Sequence, residues 1–313
     1  MEASMIKPRA LRPHSHIGIV GPSSPVDPVD LYAAKSALEA MGYRVTLGEG
    51  CVKAYGYLAA VDEIRAADLN RMFNDDGIDA VFCMRGGYGA MRLLDRLDYG
   101  AARKNPKPLL GFSDITALHI SYGKFSNLVT FHGPMPVGAV KSGGLTAIER
   151  DTFDRSLKHV EPVGFLPSAS PLFTLREGVA EGMLVGGNLS LVVGLLGTPY
   201  ELDTAGRILL LEDVGEKGYA IDRMLTQLRL AGKLDDCAGI ALGDYSDCGG
   251  PMRGHHLPLS QVFIDTLLPC GKPILGGFSI GHCANNVTLP LGVQARLDAG
   301  AKTLMIMENA VEG

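Results

Sequence analysis

The sequence contains no tryptophan, no C-x-x-C pair and no apolar run near the length of a membrane span. A site that stacks a ligand on an indole ring is therefore excluded, and the spacing of the six cysteines matches no zinc-binding template. The most apolar windows fall far short of the ~20 residues that cross a bilayer. Residues 1–16 lack the apolar core of a signal peptide, so we expect a cytoplasmic protein.

Basic residues are too scattered to form a polyanion-binding surface. The 29 Lys and Arg residues face 34 Asp and Glu residues, which gives a net charge of −5. We therefore expect no general attraction to nucleic acid or to an anionic membrane. The chain is 46% apolar and 20% charged, an ordinary globular balance. Its 313 residues, at about 150 per domain, favour two domains.

Strand-like and helix-like segments alternate through the first half of the chain. Apolar strands are predicted at 16–20, 43–47, 80–84 and 108–111, and helices at 30–41, 59–74, 90–97 and 114–122. This alternation predicts a parallel, doubly wound α/β sheet. Ligands of such sheets bind at the carboxyl ends of the strands, so chemistry is expected in the loops that follow them.

A segment rich in proline and serine interrupts this pattern at 161–176 and is predicted to be a linker. Beyond it we predict strands at 178–187, 207–213, 238–243 and 273–276, helices at 188–196 and 221–231, and a closing hairpin of 293–298 with 303–307. The sequence therefore predicts an N-terminal α/β domain over 1–160 and a smaller, mixed α/β domain over 177–313.

Ser113 follows the predicted strand at 108–111 and precedes a predicted helix. A serine at a sharp strand-to-helix turn is a nucleophile elbow, which exposes the hydroxyl close to a helix N-terminus. Gly111 supplies the first glycine of the G-x-S-x-G pattern, but Ile115 replaces the second. Ser113 and Asp114 are also favoured N-cap residues, so helix capping is the alternative interpretation.

Two further residues are candidates for a catalytic set. Glu212 ends an apolar strand, where a carboxylate can orient an imidazole; the alternative is a solvated acidic loop, with Asp213 and Glu216 as rival carboxylates. His282 lies in a glycine-rich loop after a strand, and histidine is the usual general base near neutral pH. A structural role is the alternative for His282, and His132 is its competitor.

An oxyanion hole needs backbone N–H donors close to the nucleophile. The N–H of Asp114 is one candidate. Gly86 and Gly87, in the loop 85–89, are others, because glycine lets the backbone approach a substrate closely. The alternative for this loop is a phosphate cradle, but it has neither the Lys-Ser/Thr of a P-loop nor the G-x-G-x-x-G spacing.

Taken together, segments along nearly the whole chain resemble the LD-carboxypeptidase family, a family of serine peptidases. In the family's order they are 17–25, 57–70, 85–89, 111–118, 131–134, 186–189, 211–213, 219–225 and 281–282. The resemblance implies a triad with Ser113 as nucleophile, His282 as base and Glu212 as orienting acid. It also implies an oxyanion hole made by the N–H of Asp114 with that of Gly86 or Gly87.

The reaction that this resemblance implies is release of the terminal D-alanine from murein tetrapeptide, free or sugar-linked, during peptidoglycan recycling. It implies no metal, no cofactor and a homodimer. Arg85 is a candidate partner for the terminal carboxylate of the substrate. A self-immunity peptidase that cleaves a peptide–nucleotide antibiotic is a rival, although that branch stacks the nucleobase on an aromatic, notably tryptophan. A non-catalytic binding module is the other alternative.

Overall fold

The computed structural model describes residues 4–249 and 257–313, and the chain divides into two compact units. Unit 1 is Met1–Pro162 with Thr288–Gly292 and Asn309–Gly313, and unit 2 is Val163–Val287 with Val293–Glu308. The chain thus returns twice to unit 1 near its end. This differs from the contiguous division at 1–160 and 177–313 expected from the sequence.

The strands in the described residues are β1 (His16–Val20), β2 (Arg44–Leu47), β3 (Ala80–Cys83), β4 (Leu109–Gly111), β5 (Thr130–His132), β6 (Gly164–Phe165), β7 (Phe173–Arg176), β8 (Val179–Asn188), β9 (Ile208–Glu212), β10 (Gly239–Leu242), β11 (Ile274–Gly276), β12 (Leu289–Leu291), β13 (Gln294–Asp298) and β14 (Thr303–Ile306). The α-helices there are α1 (Pro28–Ala40), α2 (Asp62–Asn74), α3 (Tyr99–Lys104), α4 (Thr116–Ser126), α5 (Pro136–Lys141), α6 (Ala147–Leu157), α7 (Leu189–Gly194), α8 (Gly218–Leu230), α9 (Lys233–Asp236) and α10 (Leu259–Leu267). Short 3₁₀ turns lie at Glu49–Val52, Ala90–Arg96, Ser113–Ile115 and Leu268–Cys270. None of these helices has the length and apolar character needed to cross a bilayer.

Unit 1 is built on a sheet with the strand order β12-β5-β4-β3-β1-β2. Strands β1 to β5 pair in parallel, and β12 pairs antiparallel with β5. Strands β3, β4 and β5 are buried throughout, as in a parallel sheet covered on both faces, whereas the edge strand β2 is partly exposed. Because β4, β3 and β1 are parallel neighbours, the loops that follow them share one edge of the sheet. The predicted doubly wound α/β fold is confirmed.

The helices of unit 1 begin where the sequence provides caps. Asp27 accepts a hydrogen bond from the N–H of Val29 at 2.8 Å at the start of α1, and Pro28 stands at the first helical position. Thr146 and Glu149 form a reciprocal capping box at the start of α6. Leu31 and Leu38 on α1 form part of its buried face.

Unit 2 contains a mixed sheet in the order β6-β14-β13-β8-β9-β10-β11-β7. Strands β8 to β11 are parallel, and the flanking strands pair antiparallel. The predicted hairpin is confirmed as the β13–β14 pair. The segment expected to be a linker, 161–176, instead contains β6 and β7, which pair at the two ends of this sheet.

Two helix predictions in unit 1 need correction. The segment predicted as a helix at 90–97 is a 3₁₀ turn over Ala90–Arg96, which follows a glycine with φ of 130° at position 89. The helix predicted at 114–122 is a 3₁₀ turn over Ser113–Ile115 that continues into α4. The tighter turn places Ser113 outside the regular helix.

Candidate active site

Ser113 occupies a strained turn between β4 and α4. Its φ is 66°, in the left-handed region that residues other than glycine seldom adopt and that costs of order 1–3 kcal/mol. Phe112 before it is extended, with φ of −154°. The N-cap positions are Phe112 for the 3₁₀ turn and Ile115 for α4, so Ser113 caps neither helix. The backbone is that of a nucleophile elbow.

Gly86 lies directly against Ser113. A Cβ atom built on Gly86 would be 3.0 Å from the Cβ and 3.2 Å from the Oγ of Ser113. Gly86 is buried, whereas Gly87 is exposed and has φ of 115°. The structure therefore brings the predicted glycine loop to the predicted nucleophile, and only a residue without a side chain fits at position 86 without displacing the serine.

Asp114 and Arg85 differ in their surroundings. The Asp114 side chain is buried and accepts hydrogen bonds from Ser23 and from the backbone of Ala90. Arg85 is exposed, and its Nη1 donates to the carbonyl oxygen of Pro25 at 3.3 Å. Arg85 thus lies on the glycine loop with an accessible guanidinium.

Glu212 and His282 form a hydrogen-bonded pair in unit 2. The Oε2 atom of Glu212 and the Nδ1 atom of His282 are 2.9 Å apart, and the side chains are 0% and 20% exposed. Burial raises the pKa of Glu212, and the hydrogen bond and charge of His282 oppose that rise. With its Nδ1–H directed at the carboxylate, the imidazole presents Nε2 as its basic nitrogen.

Glycines make room for this pair. Gly281 has φ of 114°, and a Cβ atom there would collide with Oε2 of Glu212. The N–H of Gly281 donates to Oδ1 of Asn286 at 2.9 Å, which fixes the loop just before His282. A Cβ atom on Gly243 would lie 2.9 Å from the Cβ of Glu212. Glycine at positions 243 and 281, on two different loops, is therefore a packing requirement of the pair.

The rival carboxylate Asp213 has another role. It accepts hydrogen bonds from the N–H and Oγ–H of Ser190 at 2.9 and 2.8 Å and from Nδ2 of Asn188 at 3.2 Å. Asp213 therefore holds the start of α7. Glu216 is half-buried on the loop beyond it, where its carbonyl accepts from the N–H of Gly249 at 2.9 Å.

Among the described residues, the buried histidines His119 and His132 do not pair with Glu212. His132, the predicted competitor, is fully buried at the end of β5 in unit 1, with its ring 5.6 Å from that of Phe112. His119 places its Nε2 atom 2.9 Å from the carbonyl oxygen of Gly111, and burial lowers its pKa to about 4. His119 is a structural residue that ties α4 to the end of β4.

Asn188 is a contributor that the sequence did not assign. It ends β8, opposite Glu212 in the register, and its side chain accepts from the N–H of Leu191 to cap α7. Its hydrogen bond to the Glu212 side chain also lowers the pKa of that carboxyl. The signal was present in the motif at 186–189, but only the pairing of β8 with β9 brings this amide to Glu212.

A serine in a left-handed elbow, a glycine loop against it, and a buried glutamate bonded to a histidine are the components of a serine hydrolase. Comparison with known proteins identifies the family of serine hydrolases to which the chain belongs. Residues 17–133 match the LD-carboxypeptidase N-terminal domain, and residues 181–297 match the LD-carboxypeptidase C-terminal domain. The chain belongs to the LD-carboxypeptidase family and is a serine carboxypeptidase, as the sequence resemblance implied.

Relatives and solved structures match over nearly the full length. The chain is 41% identical to the probable murein peptide carboxypeptidase of Bacillus subtilis, covering 98% of this chain and 96% of that one. It is 33% identical to the murein tetrapeptide carboxypeptidase of Pseudomonas aeruginosa, covering 90% and 92%. The crystal structure of muramoyltetrapeptide carboxypeptidase from Oxalobacter formigenes matches with a TM-score of 0.82 and 29% identity, covering 96% and 100%. The microcin C7 self-immunity protein MccF of Escherichia coli is 27% identical, covering 87% and 86%.

Proposed function

We propose that this chain is an LD-carboxypeptidase that releases the terminal D-alanine from murein tetrapeptide during peptidoglycan recycling. The bond hydrolysed would join the L-configured centre of the diamino acid to D-alanine. Family membership supports the peptidase chemistry, and the names of the relatives support the murein peptide as substrate. The observation that carries the proposal is the 2.9 Å bond between the buried Glu212 and His282.

In the proposed reaction, Oγ of Ser113 attacks the carbonyl carbon of the diamino acid while Nε2 of His282 takes the hydroxyl proton. The tetrahedral intermediate then collapses, the C–N bond breaks, and His282 gives the proton to the amine of the departing D-alanine. Water, deprotonated by His282, then attacks the acyl-enzyme. The ester bond breaks, His282 returns the proton to Oγ of Ser113, and the tripeptide leaves. Glu212 keeps the imidazole in the required tautomer and stabilises its charged form.

The oxyanion of the tetrahedral intermediate needs fixed donors at the elbow. We assign this role to the backbone N–H of Asp114 and that of Gly86 or Gly87. The contact of Gly86 with Ser113 supports this assignment. Arg85, exposed on the same loop, is the proposed partner of the terminal carboxylate of the substrate, since a guanidinium matches a carboxylate in charge and geometry.

The proposal also includes the cytoplasmic location expected from the sequence and a homodimer, the second of which rests on the family resemblance. Light scattering of the purified protein tests the second, with an expected mass of twice 33.2 kDa.

A panel of three substrates tests the proposed specificity. Native protein is incubated with murein tetrapeptide ending in D-alanine, with the same peptide ending in L-alanine, and with a peptide–nucleotide conjugate, and the products are resolved by mass spectrometry. We expect loss of D-alanine alone. Equal release of L-alanine would contradict the LD specificity. Cleavage of only the conjugate would favour a self-immunity peptidase, and no cleavage of any substrate would favour a binding module.

A further inference from the structure

Arg65 and Asp114 are buried, charged side chains of unit 1 that take no part in the proposed proton transfers. Each exposes only 1% of its surface. Burying a charge is costly unless hydrogen bonds compensate it. Both side chains form hydrogen bonds with the same two loops, which follow β1 and β3; Arg65 donates and Asp114 accepts.

The carboxylate of Asp114 binds both loops at one atom. Its Oδ2 accepts from the Oγ–H of Ser23 at 2.6 Å and from the N–H of Ala90 at 2.8 Å. Ser23 lies after β1, and Ala90 directly follows the glycine loop after β3. Since Asp114 is the residue after Ser113, this carboxylate connects the elbow to both neighbouring loops.

Arg65, on α2, binds the residues adjacent to those two. Its Nη1 donates to the carbonyl oxygens of Pro22 and Gly89, the second at 3.0 Å. Its Nη2 is paired with Asp62 at 2.5 Å. Gly89 has φ of 130°, and a Cβ atom there would lie 2.7 Å from Nη1, so the close contact requires glycine.

Asp114 and Arg65 therefore bind adjacent residues in each loop. Arg65 binds Pro22 and Gly89, and Asp114 binds Ser23 and Ala90. Backbone contacts continue this connection along the glycine loop. The N–H of Ser24 donates to the carbonyl of Gly86 at 3.3 Å, and the N–H of Tyr88 donates to Oγ of Ser24 at 3.2 Å. The segment that presses against Ser113 is thus fixed at both ends.

We propose that Asp114 and Arg65 are positioning residues that hold the glycine loop 85–89 against Ser113 and thereby set the geometry of the oxyanion hole. This inference rests on the proposed function. The physical basis is that donors stabilise a developing oxyanion only if they are already in place, within roughly 0.5 Å of the productive geometry.

Packing alone does not account for a carboxyl group at this buried site. Burial raises the pKa of Asp114, and the hydrogen bonds from Ser23, Ala90 and Gly89 oppose that rise, so the loop contacts offset part of the cost of burying the group. An apolar residue of similar size would fill the space without this cost, but it would remove the connection that Asp114 makes between the two loops.

The test compares Asp114→Asn with a matched variant, Asp68→Asn. Asp68 is also a buried carboxylate of unit 1, but it accepts from the N–H groups of Glu49 and Gly50, at 2.9 and 2.7 Å, in the loop after β2. For Asp114→Asn we expect kcat on murein tetrapeptide to fall about 10- to 100-fold with KM within about twofold, because the donors act in the transition state. Asp68→Asn should lower the melting temperature and leave kcat within about twofold.

A native kcat in Asp114→Asn, or equal losses of kcat in both variants, would overturn the inference. If Asp114→Asn does not fold, Ser23→Ala takes its place, because it removes one of the bonds without changing charge. We expect kcat to fall about fivefold in that variant at unchanged KM. A native kcat in Ser23→Ala would likewise overturn the inference.

Labelling of Ser113 by a fluorophosphonate separates this inference from the proposed substrate, because it needs no peptide. Rapid labelling of native protein and at least about tenfold slower labelling of Asp114→Asn would uphold the inference even if murein tetrapeptide were not cleaved. Equal labelling rates would overturn the inference alone. Failure of the native protein to label would overturn the inference and the proposed function together.

Discussion

At the scale of single residues, the candidate site depends on backbone conformations that side chains alone do not reveal. Ser113 is held at φ of 66°, and Gly86 approaches it so closely that a methyl group would touch both Cβ and Oγ. Strain of this kind persists only where the surrounding structure enforces it. The contacts of Asp114 and the buried strand β4, paired on both sides, provide that enforcement.

Replacing Gly86 with alanine tests this contact. The new Cβ would stand 3.0 Å from that of Ser113, so the serine or the loop must shift by a few tenths of an ångström. We expect kcat on murein tetrapeptide to fall about 10- to 100-fold, because small misplacements at a reacting centre are costly. Gly138→Ala is the control: it lies on α5, and a Cβ there meets no atom within 4 Å. Equal kcat in the two variants would contradict the assignment.

Glu212→Gln should separate stability from activity. Burial raises the pKa of Glu212 above its ordinary value of 4.5, so ionising this carboxyl costs more in the folded chain than in the unfolded chain. The stability that this group contributes is present below about pH 4.5 and is lost as pH rises through the folded pKa. The melting temperature of Glu212→Gln relative to that of the native protein should therefore increase as pH rises from about 4.5 towards neutrality.

The same variant should lower kcat about 10³- to 10⁴-fold, because the amide does not hold the imidazole in the required tautomer or stabilise its cation. Calorimetry across the pH series and assays on murein tetrapeptide measure the two effects. A difference in melting temperature that does not vary with pH would contradict the account of burial. Glu216→Gln is the matched control and should keep a near-native kcat.

At the scale of helices and strands, the capping box of α6 gives a prediction independent of catalysis. Thr146→Ala removes the acceptor for the N–H of Glu149 and should lower the free energy of unfolding by about 1 kcal/mol. Thr146→Ser keeps the hydroxyl and should lie close to the native protein. Urea denaturation of the three proteins checks this, and equal midpoints would show that the box adds nothing to stability.

The sequence predicted the elements that carry a strong pattern. Strands β1 and β3 are continuous apolar runs, and α1 and α2 show helical periodicity, so their positions were foreseen within a few residues. The short β5 and β12 were not foreseen. Polar residues flank the one apolar residue of β5, a proline interrupts β12, and β12 joins the sheet from the far end of the chain. Proline and serine at 161–176 concealed β6 and β7 in the same way.

The candidate site residues also stand in recognisable local patterns. Ser113 follows β4, Glu212 ends β9 and His282 lies in the glycine-rich loop after β11, so the sequence was enough to select them as candidates; their catalytic roles stay a prediction. The roles of Asn188 and of the Asp114 side chain were not predictable. Their partners lie on other loops and strands, and only the tertiary pairing brings these groups together.

At the scale of the whole molecule, each unit places its candidate site residues by the same rule. In unit 1 the order β2-β1-β3-β4-β5 sets the loops after β1, β3 and β4 side by side, and these loops carry Ser23, Gly86 and Ser113. In unit 2 the parallel strand β8 ends at Asn188, β9 ends at Glu212, and β11 is followed by the loop that carries His282. Both sets of residues thus lie at or just beyond the carboxyl ends of parallel strands.

The central claim is that Ser113 is the nucleophile that releases D-alanine from murein tetrapeptide. Its most direct test is mass spectrometry of that peptide after incubation with native protein and with Ser113→Ala under the same conditions. We predict that the native protein converts tetrapeptide to tripeptide and that the variant does so at least about 10⁴-fold more slowly. Equal conversion by the two proteins would contradict the claim and assign the chemistry to a different residue.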